Sequence, residues 1–385
     1  MKRLIAIILS IGIAGLSQGL VIPLLAFLLE RRGVNELING LSTTSLFLAV
    51  LAASPFIEPA IRKYGAKRVI QGGAVLSILS VLAFPLFDHL YAWIFFRFLM
   101  GIGLSALYVA TEVWINRIVE ASRRGRIFAM YGLSIGIGMA IGPQGINLLS
   151  YGVWVPFILS AILFAIPVIL LQFVPEEPFE IVEGNKRYSW RAIILMAPFA
   201  LSTSFVYGFI EGGLAGDFPI YALRKGASAE ELSLALTFFT LGSTVLQIPL
   251  GFLSDRYSRG KTLMVTCVFG ALGFALLSFI ESSGMLFLWI LGYTGGVIGS
   301  LYSLGLAYVG DSITSEHLPT ANVLYTANYG VGSILGPSVG ALMIQVWGPD
   351  AFPWLLAGLL GIYVIFGVIT RVYPSFGKHD DPITG

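Results

Sequence analysis

Gly138-Met139-Ala140-Ile141-Gly142-Pro143 stands in one apolar run of the chain, and Gly332-Ser333-Ile334-Leu335-Gly336-Pro337 stands in another. The shared pattern, Gly-x-x-x-Gly-Pro, recurs at an offset of 194 residues. A second pair supports the same spacing: Gly15-Leu16-Ser17-Gln18-Gly19 precedes Pro23, Gly208-Phe209-Ile210-Glu211-Gly212 precedes Pro219, and the leading glycines are 193 apart. Two separate places sharing nearly one offset argue for a duplicated unit. Halves of this kind, related by an axis along the membrane normal, enclose a midplane site whose access alternates as one half rocks on the other. Glycine lets apolar helices approach closely and proline bends them, so Gly142, Pro143, Gly336 and Pro337 are read as helix-bend positions. Plain helix packing accounts for the same glycines, and the two readings are compatible.

The rest of the chain fits a membrane setting. Of 385 residues, 56% are hydrophobic and only 11% charged, with mean hydropathy +0.85. A soluble protein carries about 25% charged residues. Hydropathy divides the sequence into twelve apolar spans, at roughly 4–29, 38–60, 69–87, 90–116, 127–149, 152–174, 192–222, 230–252, 262–280, 285–309, 320–346 and 351–372. Hydrocarbon offers no partner to an open backbone, so long continuous runs of this kind are helices, and barrels would show short alternating segments instead. The expectation is an all-α membrane protein of twelve transmembrane helices in two pseudo-symmetric six-helix halves, 1–174 and 192–385. The polar stretch 175–191 is the linker between them. The opening Met1-Lys2-Arg3 and the apolar run after it imitate a signal peptide, but the run continues to Leu29 without an Ala-x-Ala site, the length of a spanning helix.

Lysine and arginine set the orientation. With the N-terminus cytoplasmic, the inner segments hold all the basic residues except Arg31, Arg32, Arg224 and Lys225 outside and Arg97 within a span. Both termini are therefore expected in the cytoplasm, and the chain in a plasma membrane, a bacterial inner membrane by its lack of eukaryotic targeting features. The net charge of +2 gives no reason to expect nucleic acid. The lone Cys267 excludes an intrachain disulfide. His89, His317 and His379 are scattered, and there is no HExxH, CxxC or Walker loop, so neither a metal, a cofactor nor an ATP-driven cycle is expected.

Gly251-Phe252-Leu253-Ser254-Asp255-Arg256-Tyr257-Ser258-Arg259-Gly260-Lys261, between spans eight and nine, resembles the loop signature of the major facilitator superfamily. The counterpart loop keeps Arg62 and Gly65, but Glu58 stands where the signature has Gly and Arg62 where it has Asp. Arg97-x-x-x-Gly101-x-Gly103 resembles a motif of proton-coupled members, and Gly142-Pro143 part of the antiporter signature. Thr111-Glu112, Arg124-Gly125-Arg126 and Ala129-Met130-Tyr131 look most like the YcaD-like, drug-efflux-like branch. The resemblance implies the superfamily fold, a cytoplasmic gate at Gly251, Asp255, Arg256, Arg259, Arg62 and Gly65, and a monomeric secondary transporter.

An ionisable residue inside a span is a functional candidate. Glu211, among Gly208, Gly212, Gly213 and Gly216, is read as the proton or substrate carrier, or as a carboxyl locking helices together; its repeat partner Gln18 cannot titrate. Arg97, Gly101, Ser105, Tyr108 and Glu112 share one helical face. Arg97 and Glu112 stand about 22 Å apart along it and cannot pair. Glu112 is either a salt-bridge group at the cytoplasmic rim, as its approximate counterpart Asp311 suggests, or a proton or substrate contact. Arg97 either orients a charged substrate or packs helices through backbone carbonyls. Tyr108, Tyr131, Phe205, Tyr207, Tyr302, Tyr325 and Tyr329, with Gln144 and Asn328, are candidate cavity residues, suited to an amphipathic or apolar organic molecule. With no nucleophile–base pair the chain is not expected to be an enzyme. The expected activity is proton-coupled export, with a metabolite symporter or facilitator as the alternative and a non-transporting sensor behind both.

Overall fold

A computed structural model describes residues 2–174, 190–280, 284–314 and 316–372. The expected linker lies almost wholly outside the described residues. The elements are α1 (Lys2–Arg31), α2 (Glu36–Tyr64), α3 (Ala66–Ala83), α4 (Leu90–Ile118), α5 (Ala121–Ile141) continued by a 3-10 segment (Gly142–Tyr151), and α6 (Trp154–Gln172). After the linker come a short α7 (Trp190–Met196), then α8 (Pro198–Arg224), α9 (Ala229–Arg256), α10 (Arg259–Leu277), α11 (Met285–Ser312), α12 (Leu318–Trp347) and α13 (Ala351–Val372).

Eleven of the described helices are long and apolar enough to cross a membrane. The twelfth expected span is α8, whose 27 residues exceed the ~20 that a bilayer needs. Its hydropathy is diluted by Glu211, Asp217, hydroxyls and four glycines, and it is mostly buried among its neighbours. The expected span 192–222 is broken at Ala197, whose φ of −143° and ψ of 58° lie outside the helical region. Pro198 disfavours helix at the residue before it, which accounts for the break.

Helices α1 to α6 pack with one another, as do α8 to α13, and α1–α8, α2–α12 and α5–α9 join the two sets. The closest approaches repeat in both halves. A Cβ on Gly138 would collide with the Gly12 carbonyl of α1 and lie 2.7 Å from the Leu16 amide nitrogen. A Cβ on Gly332 would collide with the Phe205 carbonyl of α8 and lie 2.8 Å from the Phe209 amide nitrogen. Gly142 and Gly336 extend these two seams by one turn. The halves differ at the expected bends. At Gly142-Pro143 the α-helix gives way to the 3-10 segment, whereas Pro337 lies inside a continuous α12.

The loops after α1 and α8 also correspond. Gly33 and Gly226 both hold positive φ, 69° and 85°. Asn35 then caps α2 through Leu37 N, and Ser228 caps α9 in a reciprocal box with Glu231. These loops mark one end of the molecule, called here the Gly33 end. The α2–α3 junction at Gly65 (φ 85°) and the α9–α10 junction mark the other, the Gly65 end.

Overpacking a seam costs about 1–3 kcal/mol. Gly332→Val should therefore lower the unfolding midpoint of the purified protein, while Gly358→Val, whose new methyls meet open space, should not. Equal midpoints in a thermal scan would show that the α8–α12 seam tolerates separation.

Candidate functional site

Glu211 projects from α8 towards α12, and the Tyr329 hydroxyl donates to its carboxylate at 2.7 Å. The glycines beside it allow this. A Cβ on Gly212 would lie 3.0 Å from the Ser333 Cα, so the two backbones run too close for a larger residue. Two tyrosine rings flank the pair: Tyr207 stacks on Tyr329 at 6.1 Å between centroids, and Tyr302 meets Tyr329 and Tyr207 at 5.6 Å each. Tyr325, fully buried behind Tyr302 at 5.1 Å, donates its hydroxyl to the Tyr302 carbonyl at 2.7 Å. The cluster thus draws on α8, α11 and α12.

The N-terminal half supplies the facing groups. The Tyr108 hydroxyl of α4 donates to Gln18 Oε1 of α1 at 2.5 Å. The Tyr131 hydroxyl of α5 donates to the exposed Glu112 carboxylate at 3.4 Å. Both carboxylates, Glu112 and Glu211, are close enough to act electrostatically on Tyr108 and on Tyr302, one tyrosine in each half. Side chains from the two bundles therefore share one polar, aromatic region at the interface.

Other expected site residues are placed elsewhere. Arg97 is wholly buried between α1, α2 and α4. Its guanidinium donates to the Ile22 carbonyl at 2.7 Å and to Ser42 Oγ at 3.0 Å, with no carboxylate in reach among the described residues. Gln144 donates to Thr237 Oγ1 at 2.8 Å and, with Asn147 and Ser233, ties the 3-10 segment to α9 near the Gly33 end. Asn328 donates to the Leu201 carbonyl at 3.3 Å, and Phe205 lies against Phe209.

The comparisons with known proteins extend over most of the chain. The family model described as Major Facilitator Superfamily matches residues 7–228 and 200–382. The chain belongs to the major facilitator superfamily. It is similar to an MFS-type transporter, YfkF, of Bacillus subtilis, with 35% identity over 350 residues covering 89% of this chain and 88% of that one. It is also similar to the MFS-type transporter YcaD of Escherichia fergusonii, with 23% identity over 332 residues and 85% coverage of each. Among solved structures, the nucleoside transporter NupG superposes with a TM-score of 0.75 at 15% identity, covering 97% of this chain and all of that one. A bacterial homologue of the human lysosomal transporter Spinster gives 0.71 at 14% identity, covering 96% of this chain and 95% of that one. The fold is the superfamily fold of two pseudo-symmetric helical halves, and membership means membrane transport of a small-molecule substrate.

The superfamily loop signature sits at the Gly65 end. Arg259 donates to Asp255 at 3.3 Å and pairs with Asp311, at the end of α11, at 2.9 Å. Arg62 pairs with Glu58 one turn away at 2.9 Å, and Gly65 turns the chain into α3. These ion pairs stay within a half. At the Gly33 end Arg32–Asp88 and Lys225–Asp350 are also local to a half, but one cluster crosses: Arg224, the last residue of α8, donates to Glu30 of α1 at 2.8 Å and also pairs with Glu36 of α2. The Thr44 hydroxyl of α2 shares a 2.7 Å hydrogen bond with Ser338 of α12. The Gly33 end is thus the clamped end of the interface.

The sequence does not single out this clamp, though a signal was present: Glu30 and Arg224 stand at the ends of the first long helix of each half and carry opposite charges. Nor is Asp217, six residues beyond Glu211, among the charged span residues singled out from the sequence. That carboxyl is wholly buried beside Gly213 and Gly340, with neither oxygen hydrogen-bonded among the described residues. A strict reading of ionisable residues in spans flags it.

The clamp makes a prediction. In a Cys267→Ser background, a cysteine placed at buried Thr43, which faces Gly216 across the halves, should react slowly with a maleimide. Adding Arg224→Ala leaves two carboxylates facing one another and should raise that rate by about tenfold or more, the equivalent of about 1.4 kcal/mol. An unchanged rate would mean that other contacts hold this end closed.

Proposed function

We propose that the protein is a proton-coupled exporter of small amphipathic organic molecules, working by alternating access around the Glu211–Tyr329 pair. It would act as a monomer in the plasma membrane, a bacterial inner membrane. In this reading both termini are cytoplasmic, the Gly33 end faces outwards, and the Gly65 end faces the cytoplasm. The observation that carries the proposal is the position of Glu211. It is a carboxylate held by a single tyrosine hydroxyl within an aromatic cluster, at the interface of two halves clamped at one end only by cross-half ion pairs among the described residues.

The chemistry follows from that position. A proton on Glu211 neutralises the only charge of its cluster and changes the bond with Tyr329, in which the carboxylate now accepts. A substrate that needs the carboxylate and a proton that neutralises it then exclude each other, which is the condition for antiport. The tyrosine faces favour cations, and a second carboxylate, Glu112, lies on the facing half. Arg97, the basic residue carried within a span, is bonded away from this region. A compound combining an aromatic or aliphatic body with a positive charge fits best. Glu112 and Tyr131 would serve as the relay towards the cytoplasm.

The test is proton flux in liposomes that trap a pH dye, with lipophilic cations, neutral drugs and organic anions added in turn. Wild type should move protons against the cations. Glu211→Gln should lose that exchange while keeping its unfolding midpoint, and Tyr329→Phe should slow it by about tenfold, the scale of one hydrogen bond to a charged group. Protons moving with the compound would mean symport, and transport without protons would mean a facilitator. Undiminished exchange in Glu211→Gln would make that residue a structural lock.

A further inference from the structure

Away from the interface, α9 and α10 each pack on α11 but touch one another little. The consequence is a cleft of about 730 Å³, with α11 as its floor at Tyr293 and Val297. Leu246, Leu250 and Leu253 of α9 line one wall, and Val265 and Phe269 of α10 line the other. Leu253, Val265 and Phe269 are roughly half exposed, so the cleft opens sideways on the apolar surface of the molecule. Its volume lies within the ~300–1,000 Å³ of organic-ligand pockets.

The two ends of the cleft differ in chemistry. At the Gly65 end the lining is Tyr257, Ser258, Lys261 and Thr262. The first α10 backbone bond runs from Thr262 N to the Ser258 carbonyl at 2.9 Å. Arg259 is engaged by Asp255 and Asp311, whereas Lys261 forms no ion pair with a described residue. A cation therefore stands at the mouth of an apolar trough. From Lys261 to Phe269 the trough runs eight residues, or about 12 Å. One leaflet of a ~30 Å hydrocarbon core is about 15 Å deep.

We propose that this cleft binds one anionic glycerophospholipid from the leaflet at the Gly65 end, with its headgroup on Lys261 and an acyl chain lying between α9 and α10. A zwitterionic lipid would fill the trough but bring its own cation beside the phosphate, leaving the charge of Lys261 uncompensated overall. A free phosphate would satisfy the ammonium but leave the trough empty. The occupant thus needs both parts, and it would bridge two helices that otherwise share few contacts, next to the loop that carries Asp255 and Arg259.

The test measures binding of fluorescent phosphatidylglycerol and phosphatidylcholine to the purified full chain in neutral detergent. Phosphatidylglycerol should bind more tightly. Lys261→Gln should weaken it by about fivefold, the contribution of one lysine near an anionic surface, and weaken phosphatidylcholine less. Lys63→Gln, which removes an equally exposed cation at the same end, should change neither. Val265→Trp should fill the trough and abolish binding of both lipids, with a retained unfolding midpoint showing the fold intact. Equal binding of the two lipids with no effect of Lys261→Gln would overturn the proposal. So would displacement of phosphatidylglycerol by millimolar inorganic phosphate, which would reduce the site to an anion site.

Discussion

Two helix pairs, α1 with α5 and α8 with α12, approach so closely that no side chain fits between their backbones at Gly138, Gly142, Gly332 and Gly336. Water supplies no drive for helix association inside a bilayer, so cohesion there rests on van der Waals contact and on the few hydrogen bonds available. Close approach maximises the first of these. It also fixes where larger neighbours point. With α12 pressed against α8 at Gly208 and Gly212, Tyr329 has only a short reach to Glu211, and Tyr302 of α11 packs edge-on against the Tyr329 ring. The site is in this sense a product of the seam beneath it.

Polar groups are distributed by the same economy. The buried hydroxyls of Thr111, Ser77 and Ser333 return to the carbonyl one turn back, so that these three add no unpaired group to an apolar interior. Bonds that cross between halves are fewer, and they concentrate where the interface is closed: Arg224 with Glu30 and Glu36, Thr44 with Ser338, and Gln144 with Thr237. Ion pairs at the opposite end remain local to each half, as Arg259 with Asp311 and Arg62 with Glu58 illustrate. Rigid bundles with separable pairings between them are what a rocking movement requires.

The fold was largely legible because hydrocarbon imposes it: long apolar runs must be helices, and the Gly-x-x-x-Gly-Pro repeat exposes the duplication. Glu211 was legible because an acid in an apolar run is conspicuous. Its partner was readable only as one aromatic among several, since nothing in the sequence says that Tyr329 rather than Tyr325 reaches it. Arg97 shares a helical face with Tyr108 and Glu112, yet its guanidinium is buried against Ile22 and Ser42 inside the N-terminal bundle, a matter of packing at its own level of the helix that periodicity does not record. The break at Ala197 follows from Pro198, a local signal within a run whose hydropathy continues through it.

The clamp at the Gly33 end carries a consequence for ancestry. At the spacing that pairs Gly15 with Gly208 and Gly33 with Gly226, Arg224 corresponds to Arg31, while Glu30 and Glu36 correspond to Leu223 and Ala229. In a symmetric pair of identical chains a contact between unlike places occurs twice, once on each side of the axis. Here one arm is present, Arg224 with Glu30 and Glu36, and the places that would receive Arg31 are apolar. The clamp is thus one-sided, and fusion into one chain is what lets one arm stand without its mirror image.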